Sequence, residues 1–441
     1  MAAENEKQLM GIWMTSALVV GTMIGSGIFM LPVSLAPLGP NAPIGWIVSS
    51  VGALCIAFAL ARVTRGGSGI QAYIEKAFGP TVGFLVAWAF WCSNWAAQAA
   101  VAIAAASALS RVVPALAGPD AVVLVAIACV AFLTGVNAMG ARAAGGMSIL
   151  TVAIKLLPLL AVIAILALRG ASGQPFEPLA PAPMTIANIA TAVALTLFAF
   201  TGFENATAPV SKVRNPERTL PLALVGGTLF VALIYLLSST GVTLLLSAGT
   251  VAVSPAPYAD AVAAMWGETA ATLAALGIAV AAFGSLNGLI LGTGELGYSM
   301  GVRGEMPAFM AKTRGANTPV AAQLVGSALT ILLVYSASSR DTAGLFKFVI
   351  LLSTSAILFV YLAGTLAAWK ISATVGARLA LAVALLFILF AFYGSGAEAD
   401  LWGLVLLAIG YAVLLGMRRF NSRATSPAAA DAPAAPPRSS A

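Results

Sequence analysis

Two apolar stretches, one in each half of the chain, are interrupted by short glycine-bearing breaks: Gly25-Ser26-Gly27 in the first and Thr201-Gly202-Phe203-Glu204 in the second. A break at membrane depth unpairs backbone amides and carbonyls that hydrocarbon cannot receive. It persists only where those groups line a cavity or are covered by protein. Glycine-interrupted segments at matching places in two halves point to the substrate site of a secondary carrier. The pattern predicts a carrier, not an enzyme.

The rest of the chain agrees with a membrane setting. Hydrophobic residues make up 60% of the 441, charged residues 8%, and the mean hydropathy is +0.99, where a soluble domain carries about 25% charged residues. The charges fall between apolar runs of the roughly 20 residues that a bilayer demands. Twelve spans are predicted, centred near residues 22, 53, 97, 129, 157, 197, 232, 282, 328, 357, 385 and 409. The expected class is an all-α polytopic membrane protein. The first span does not read as a cleaved signal peptide, because residues 1–10 are not strongly basic and the apolar run continues past Pro32 without a small-residue cleavage site.

Lys and Arg set the expected orientation. With the N-terminus cytoplasmic, 17 of the 22 cationic side chains fall on the inner side; only Arg111, Arg169 and Arg340 fall outside, and Lys155 and Lys347 lie in spans. This asymmetry predicts cytoplasmic N- and C-termini. The net charge of +7 is then a matter of topology and implies no nucleic-acid partner. Cys55, Cys92 and Cys129 all lie in predicted spans and give no disulfide framework, and the chain has no histidine. A Ser-His-Asp triad and a His-ligated metal are thereby excluded, no cysteine pair has zinc spacing, and neither cofactor nor metal is expected. Residues 418–441 are expected to form a disordered, basic cytoplasmic tail, rich in Pro and Ala beyond Ala424.

The breaks carry their own chemistry. A helix restarting after Gly27 presents free amides and a positive dipole end, so the amides of Ser26, Gly27 and Ile28 suit a carboxylate. Packing of Gly25 and Gly27 as small-residue helix contacts is the competing reading. The helix ending near Ala199 and Phe200 exposes carbonyls that suit an α-amino group. Glu204, inside the membrane, is a functional candidate by cost alone, or a carboxylate satisfied by the amides of its own broken helix. Lys155 is the second intramembrane charge; it either serves a function or snorkels to the interface.

The run from Gly21 to Pro32, Gly-Thr-Met-Ile-Gly-Ser-Gly-Ile-Phe-Met-Leu-Pro, resembles the first-span signature of the amino acid/polyamine/organocation transporters. The likeness continues in order through Gly66-Gly67, Ala72-Tyr73, Phe78-Gly79, Gly202-Phe-Glu-Asn-Ala206, Asn215-Pro216, Pro221, Arg303-Gly-Glu-Met-Pro307 and Tyr393-Gly-Ser-Gly-Ala397. Within that superfamily it is to the basic amino acid and polyamine antiporters, including the arginine/agmatine exchangers. The resemblance implies a LeuT-type fold within residues 1–417: inverted repeats at about 10–170 and 184–370, broken helices 1 and 6, and two added helices at about 376–417. It implies secondary transport of an amino acid, or exchange for an amine, across a bacterial inner membrane. Protons are a candidate co-substrate and a homodimer a candidate assembly.

Residue by residue, the resemblance places substrate contacts at Ile24, Gly25, Ser26, Gly27 and Ile28, at Ser93, Asn94 and Gln98 in span 3, at Phe198, Ala199 and Thr201 in span 6, and at Leu289 in span 8. Ser93, Asn94 and Gln98 read equally well as interhelical hydrogen-bond partners. Phe198 and Leu289 stand where the arginine/agmatine exchanger has stacking tryptophans, which argues against tight arginine recognition. Glu204 takes a proton-sensing and gating position. Lys155, in Ile154-Lys-Leu-Leu-Pro158, resembles the lysine that replaces sodium in sodium-independent relatives and can act as a proton switch. Glu295 is a candidate partner for it, though an interfacial carboxylate is the simpler reading. A channel would need a continuous polar path and an enzyme a catalytic constellation, neither of which is visible; a proton-coupled neutral amino acid symporter and a transporter-fold sensor remain as alternatives.

Overall fold

The computed structural model describes residues 11–25, 27–63, 70–139, 148–204, 213–314 and 318–424. Its α-helices are α1 Ile12–Met23, α2 Gly27–Leu35, α3 Asn41–Val63, α4 Ile70–Phe78, α5 Pro80–Val112, α6 Pro119–Ala138, α7 Ser148–Ala171, α8 Ile186–Phe200, α9 Pro216–Leu245, α10 Ala248–Val253, α11 Pro257–Val302, α12 Val320–Ser336, α13 Thr342–Ile371 and α14 Val375–Ala424. The starts follow local chemistry. Pro80, Pro119, Pro216 and Pro257 occupy first-turn positions of α5, α6, α9 and α11, where a missing N–H costs nothing and φ is already helical. Thr185 and Asp341 cap α8 and α13 by accepting the Asn188 and Gly344 amides.

By length and composition, eight of the described helices are able to cross a membrane, or nine with α1 and α2 taken as one span bent by 47°. The apolar helices α8 and α12 are shorter. All twelve expected centres fall within described helices, the last two on either side of Gly396, where φ is 83° and the helix kinks. The all-α polytopic class stands. The short α8 has a local cause, since it ends at the second break.

The helices are arranged around α5 and α2. α5 packs most extensively against α11 and α13, and also meets α6, α12 and α14. α2 has only nine residues, all buried, and touches α5, α8, α9, α10, α11 and α13. The first break therefore sits at the centre of the bundle. α3 lies across α8 and α9, and α7 across α9 and α11.

Ionic contacts gather at the bundle's two ends. At one, Arg111 at the end of α5 pairs with Asp260 at 2.8 Å and Glu268 at 2.6 Å, which flank the non-helical Gly267 in α11. At the other, Arg303 pairs with Glu75 and, at 3.1 Å, with Glu305. There Arg418 donates to Thr81 Oγ1 at 3.0 Å and Asn421 to the Gly304 carbonyl at 3.1 Å. α14 stays helical to Ala424, whereas the composition predicts a tail from residue 418; these docking bonds hold the extra turns.

Close approach of α3 and α8 gives a direct test of the packing. A Cβ on Gly45 would lie 2.6 Å from Ala192 Cβ and 2.9 Å from its carbonyl carbon, whereas one on Gly226 would meet nothing within 4 Å. Gly45→Val should lower the thermal midpoint of the detergent-purified protein, at about 1–3 kcal/mol for overpacking. Gly226→Val should leave it near that of the parent; equal midpoints for the two variants would contradict this packing.

Candidate functional site

At the first break α1 ends at Met23, and Ile24 leaves the helix with φ −73° and ψ 81°. The Gly25 amide turns back to the Met23 carbonyl at 2.7 Å, and α2 restarts at Gly27. Ser26 lies outside the described residues. Ile24, Gly27 and Ile28 are buried while Gly25 is half-buried, and a Cβ built on Gly25 would meet nothing nearer than 4.0 Å. Space therefore adjoins the break beside Gly25.

At the second break α8 ends at Phe200, and Thr201 swings out with φ −63° and ψ 147°. Its amide and its hydroxyl both donate to the Phe198 carbonyl, at 3.2 and 2.7 Å. Gly202 follows with φ 117°, a backbone region that glycine enters readily.

The two breaks face each other. A Cβ on Gly27 would lie 2.5 Å from Cε1 of Phe198, and one on Gly202 would run into the Thr22 carbonyl oxygen. Glycine at both positions is thus a requirement of close approach. Phe198 and Ala199 are buried, and Thr201 is half-buried. The assembly brings an amide-bearing helix start, a carbonyl-bearing helix end and an aromatic face together in the middle of the bundle.

The two intramembrane charges are received by main chain and by tyrosine. Glu204 is buried; its Oε1 accepts the Gly202 amide at 3.0 Å and its Oε2 the Tyr361 hydroxyl at 3.0 Å. The ring of Phe203 stacks on Tyr361, with centroids 5.6 Å apart and planes within 9°. Lys155, also buried, donates from Nζ to the Gly21 carbonyl at 3.4 Å, at the negative end of the α1 dipole. It does not snorkel. Glu295 is exposed and, among the described residues, forms no ion pair with Lys155. The register explains this: Ile154 packs beside Gly277, eighteen positions and therefore about 27 Å along α11 from Glu295.

The span-3 residues all lie on α5 and are engaged in the bundle. Ser93 and Ser353 of α13 exchange hydroxyl-to-carbonyl bonds, at 3.0 and 2.9 Å. Gln98 donates to Thr293 Oγ1 at 2.6 Å and to the Leu289 carbonyl at 3.3 Å, and accepts from Thr330 Oγ1 at 3.1 Å. The Asn94 amide donates to the Phe90 carbonyl at 2.9 Å. These bonds are interhelical for Ser93 and Gln98 and local for Asn94. The Leu289 side chain is half-buried against the core. Sequence reasoning passed over Tyr235, Ser353 and Tyr361, because a Tyr or Ser in an apolar span carries no spacing signal.

A model of amino acid permeases matches residues 10–414. The chain belongs to the amino acid permease family. This permease is a transmembrane transport protein rather than an enzyme. It is 28% identical over 426 residues to the putrescine transporter PotE of Haemophilus influenzae, covering 93% of this chain and 97% of that one. It is 27% identical over 425 residues to the PotE of Escherichia coli strain K12, covering 93% and 96%. To the cadaverine/lysine antiporter of the same strain it is 27% identical over 338 residues, covering 76% of each.

The facing geometry of the breaks yields a prediction. Gly27→Val puts its branched side chain where the Phe198 ring now lies, so the ring must leave or the helices must part. Binding of a diamine or an amino acid, followed by equilibrium dialysis, should fall at least tenfold, about 1.4 kcal/mol, while the protein stays monodisperse. Unchanged affinity would rule out a site between the breaks.

Proposed function

We propose that this permease is a secondary active transporter that exchanges a small aliphatic amine for an amino acid, or one amine for another, by alternating access. The observation that carries the reading is the face-to-face placement of the two helix breaks, with Phe198 against Gly27 and Gly202 against Thr22. A substrate ammonium would be received by carbonyls at the end of α8, and a carboxylate, where the substrate has one, by amides at the start of α2. Phe198 offers a π-face to a cationic chain. The similarity to the putrescine and the cadaverine/lysine carriers supports amines and their parent amino acids as the substrate class.

Proton-coupled uptake is the second reading, supported by the buried Glu204 and Lys155. A charge bound at the end of α1 stabilises whichever access state keeps Lys155 near Gly21, and loss of its proton would release that state. Positive-inside topology with both termini cytoplasmic completes the proposal.

Proteoliposomes separate the two. Exchange predicts that labelled putrescine, cadaverine or lysine enters only vesicles preloaded with one of the three, and that Lys155→Gln is tolerated. Proton coupling predicts uptake into empty vesicles under an imposed pH gradient, loss of uptake in Lys155→Ala beyond its loss of binding, and a flattened pH profile in Glu204→Gln. Gradient-driven uptake into empty vesicles overturns obligate exchange, and strict sodium dependence overturns the role of Lys155.

Substrate selection gives a further prediction. Leu289→Trp should favour arginine or agmatine over neutral amino acids by about 0.5–2 kcal/mol, the worth of one new cation–π contact, in competition assays. An unchanged preference would remove Leu289 from the pocket wall.

A further inference from the structure

Met23 is the last residue of α1, and its carbonyl oxygen accepts two hydrogen bonds: the Gly25 amide at 2.7 Å and the Tyr235 hydroxyl at 2.8 Å. A carbonyl offers two lone pairs, so both are taken. Tyr235 comes from the middle of α9 and is fully buried. Its ring packs 5.8 Å from that of Phe200, the last residue of α8, and 5.6 Å from Trp46 of α3. Trp46 and Phe200 close the triangle at 5.9 Å and 69°. One side chain thus holds the residue before the first break by its hydroxyl and the residue before the second by its ring.

We propose that Tyr235 is a positioning residue that sets the separation and register of the two helix breaks. This rests on reading the space between the breaks as the substrate site. The physical case is one of alternatives forgone. A tyrosine buried this deeply needs a partner for its hydroxyl, and any phenylalanine would fill the same aromatic cluster. The hydroxyl is spent on the one carbonyl that ends α1. That carbonyl is therefore closed to a substrate ammonium, and the Phe198 carbonyl, filled twice by Thr201, is closed as well. The amine is directed to the carbonyls of Ala199 and Phe200. Tyr235 fixes where those carbonyls stand relative to Gly25, because it packs directly on Phe200.

Tyr235→Phe tests the hydroxyl alone, since the ring and its packing remain. The main readout is hydrogen–deuterium exchange of the segment Thr22–Gly25 in the purified full chain, which needs no substrate. It should quicken about fivefold, the factor carried by one net hydrogen bond, with α5 unchanged and the thermal midpoint near that of the parent. In proteoliposomes the KM for putrescine exchange should rise by a similar factor, with the maximal rate altered less. Trp46→Phe is the control: it thins the same aromatic cluster but keeps the hydroxyl, so it should lower the midpoint without quickening exchange at Thr22–Gly25. Parent-like exchange in Tyr235→Phe, or equal quickening in both variants, would overturn the proposal. If the parent protein exchanges none of putrescine, cadaverine and lysine, the transport reading fails, and the deuterium result still decides the role of Tyr235.

Discussion

Hydrocarbon supplies no hydrogen bonds, so every peptide group freed by interrupting a helix at membrane depth has to be received by the protein itself. Much of the architecture around the two breaks answers that demand. The Met23 carbonyl takes a main-chain and a tyrosine donor, the Gly21 carbonyl takes Lys155, the Phe198 carbonyl takes Thr201 twice, and the Gly202 amide goes to Glu204. The partners come from α9, from α7 and from the breaks themselves. The breaks are therefore tolerable only together with the helices that surround them. This explains why nine-residue α2, entirely buried, touches six other α-helices despite its length.

The helices around this centre are joined in a different manner. α5 and α13 share the reciprocal Ser93–Ser353 pair, and Gln98, Thr293 and Thr330 tie α5, α11 and α12. Thr134 donates to Ser327 and Asn137 to Asn287, both at 2.7 Å, which adds α6. Each such bond inside a membrane is worth only about 0.6 kcal/mol on average. Together with small-residue contacts, such as a Cβ on Gly326 lying 2.7 Å from Thr293 Cγ2, they fix five helices in one register. Ser93 and Gln98 thus serve this frame whatever else they contact, and a substrate would meet them only through atoms left over.

The breaks were legible in the sequence because glycine and polar residues inside apolar runs violate the pattern on both sides. Apolar length and the spacing of charges marked the spans for the same reason. What holds the breaks together was not legible. Tyr235 sits 212 positions from Met23 and Tyr361 sits 157 from Glu204, and a hydroxyl in an apolar run looks the same whether it caps a distant helix or faces lipid. The choice between the two readings of Glu295, an interfacial carboxylate or a partner of Lys155, was not legible for a related reason, and its exposure accords with the simpler one. Both lie in spans, but position along a helix sets depth, and the packing of Ile154 beside Gly277 separates them along α11.

The two kinds of joint bear on motion under the proposed alternating access. Opening a path from one side requires some helices to part while others hold. The frame of α5, α6, α11, α12 and α13 is cross-linked by side-chain pairs and close glycine contacts at several levels, so parting it would break many interactions at once. α1 is tied to its neighbours at its broken end by two side-chain bonds to main chain, one of them long at 3.4 Å from Lys155 and one at 2.8 Å from Tyr235. Both ties grip the last turn of α1, whereas α2 beyond the break is buried on all sides. Under the proposed alternating access, this asymmetry favours bending at the break. A swing of α1 would give up these ties together with its packing on α9, where a Cβ on Gly227 would lie 2.9 Å from Val19 Cγ1, while α2 stays seated, and a substrate beside Gly25 would favour or oppose that swing.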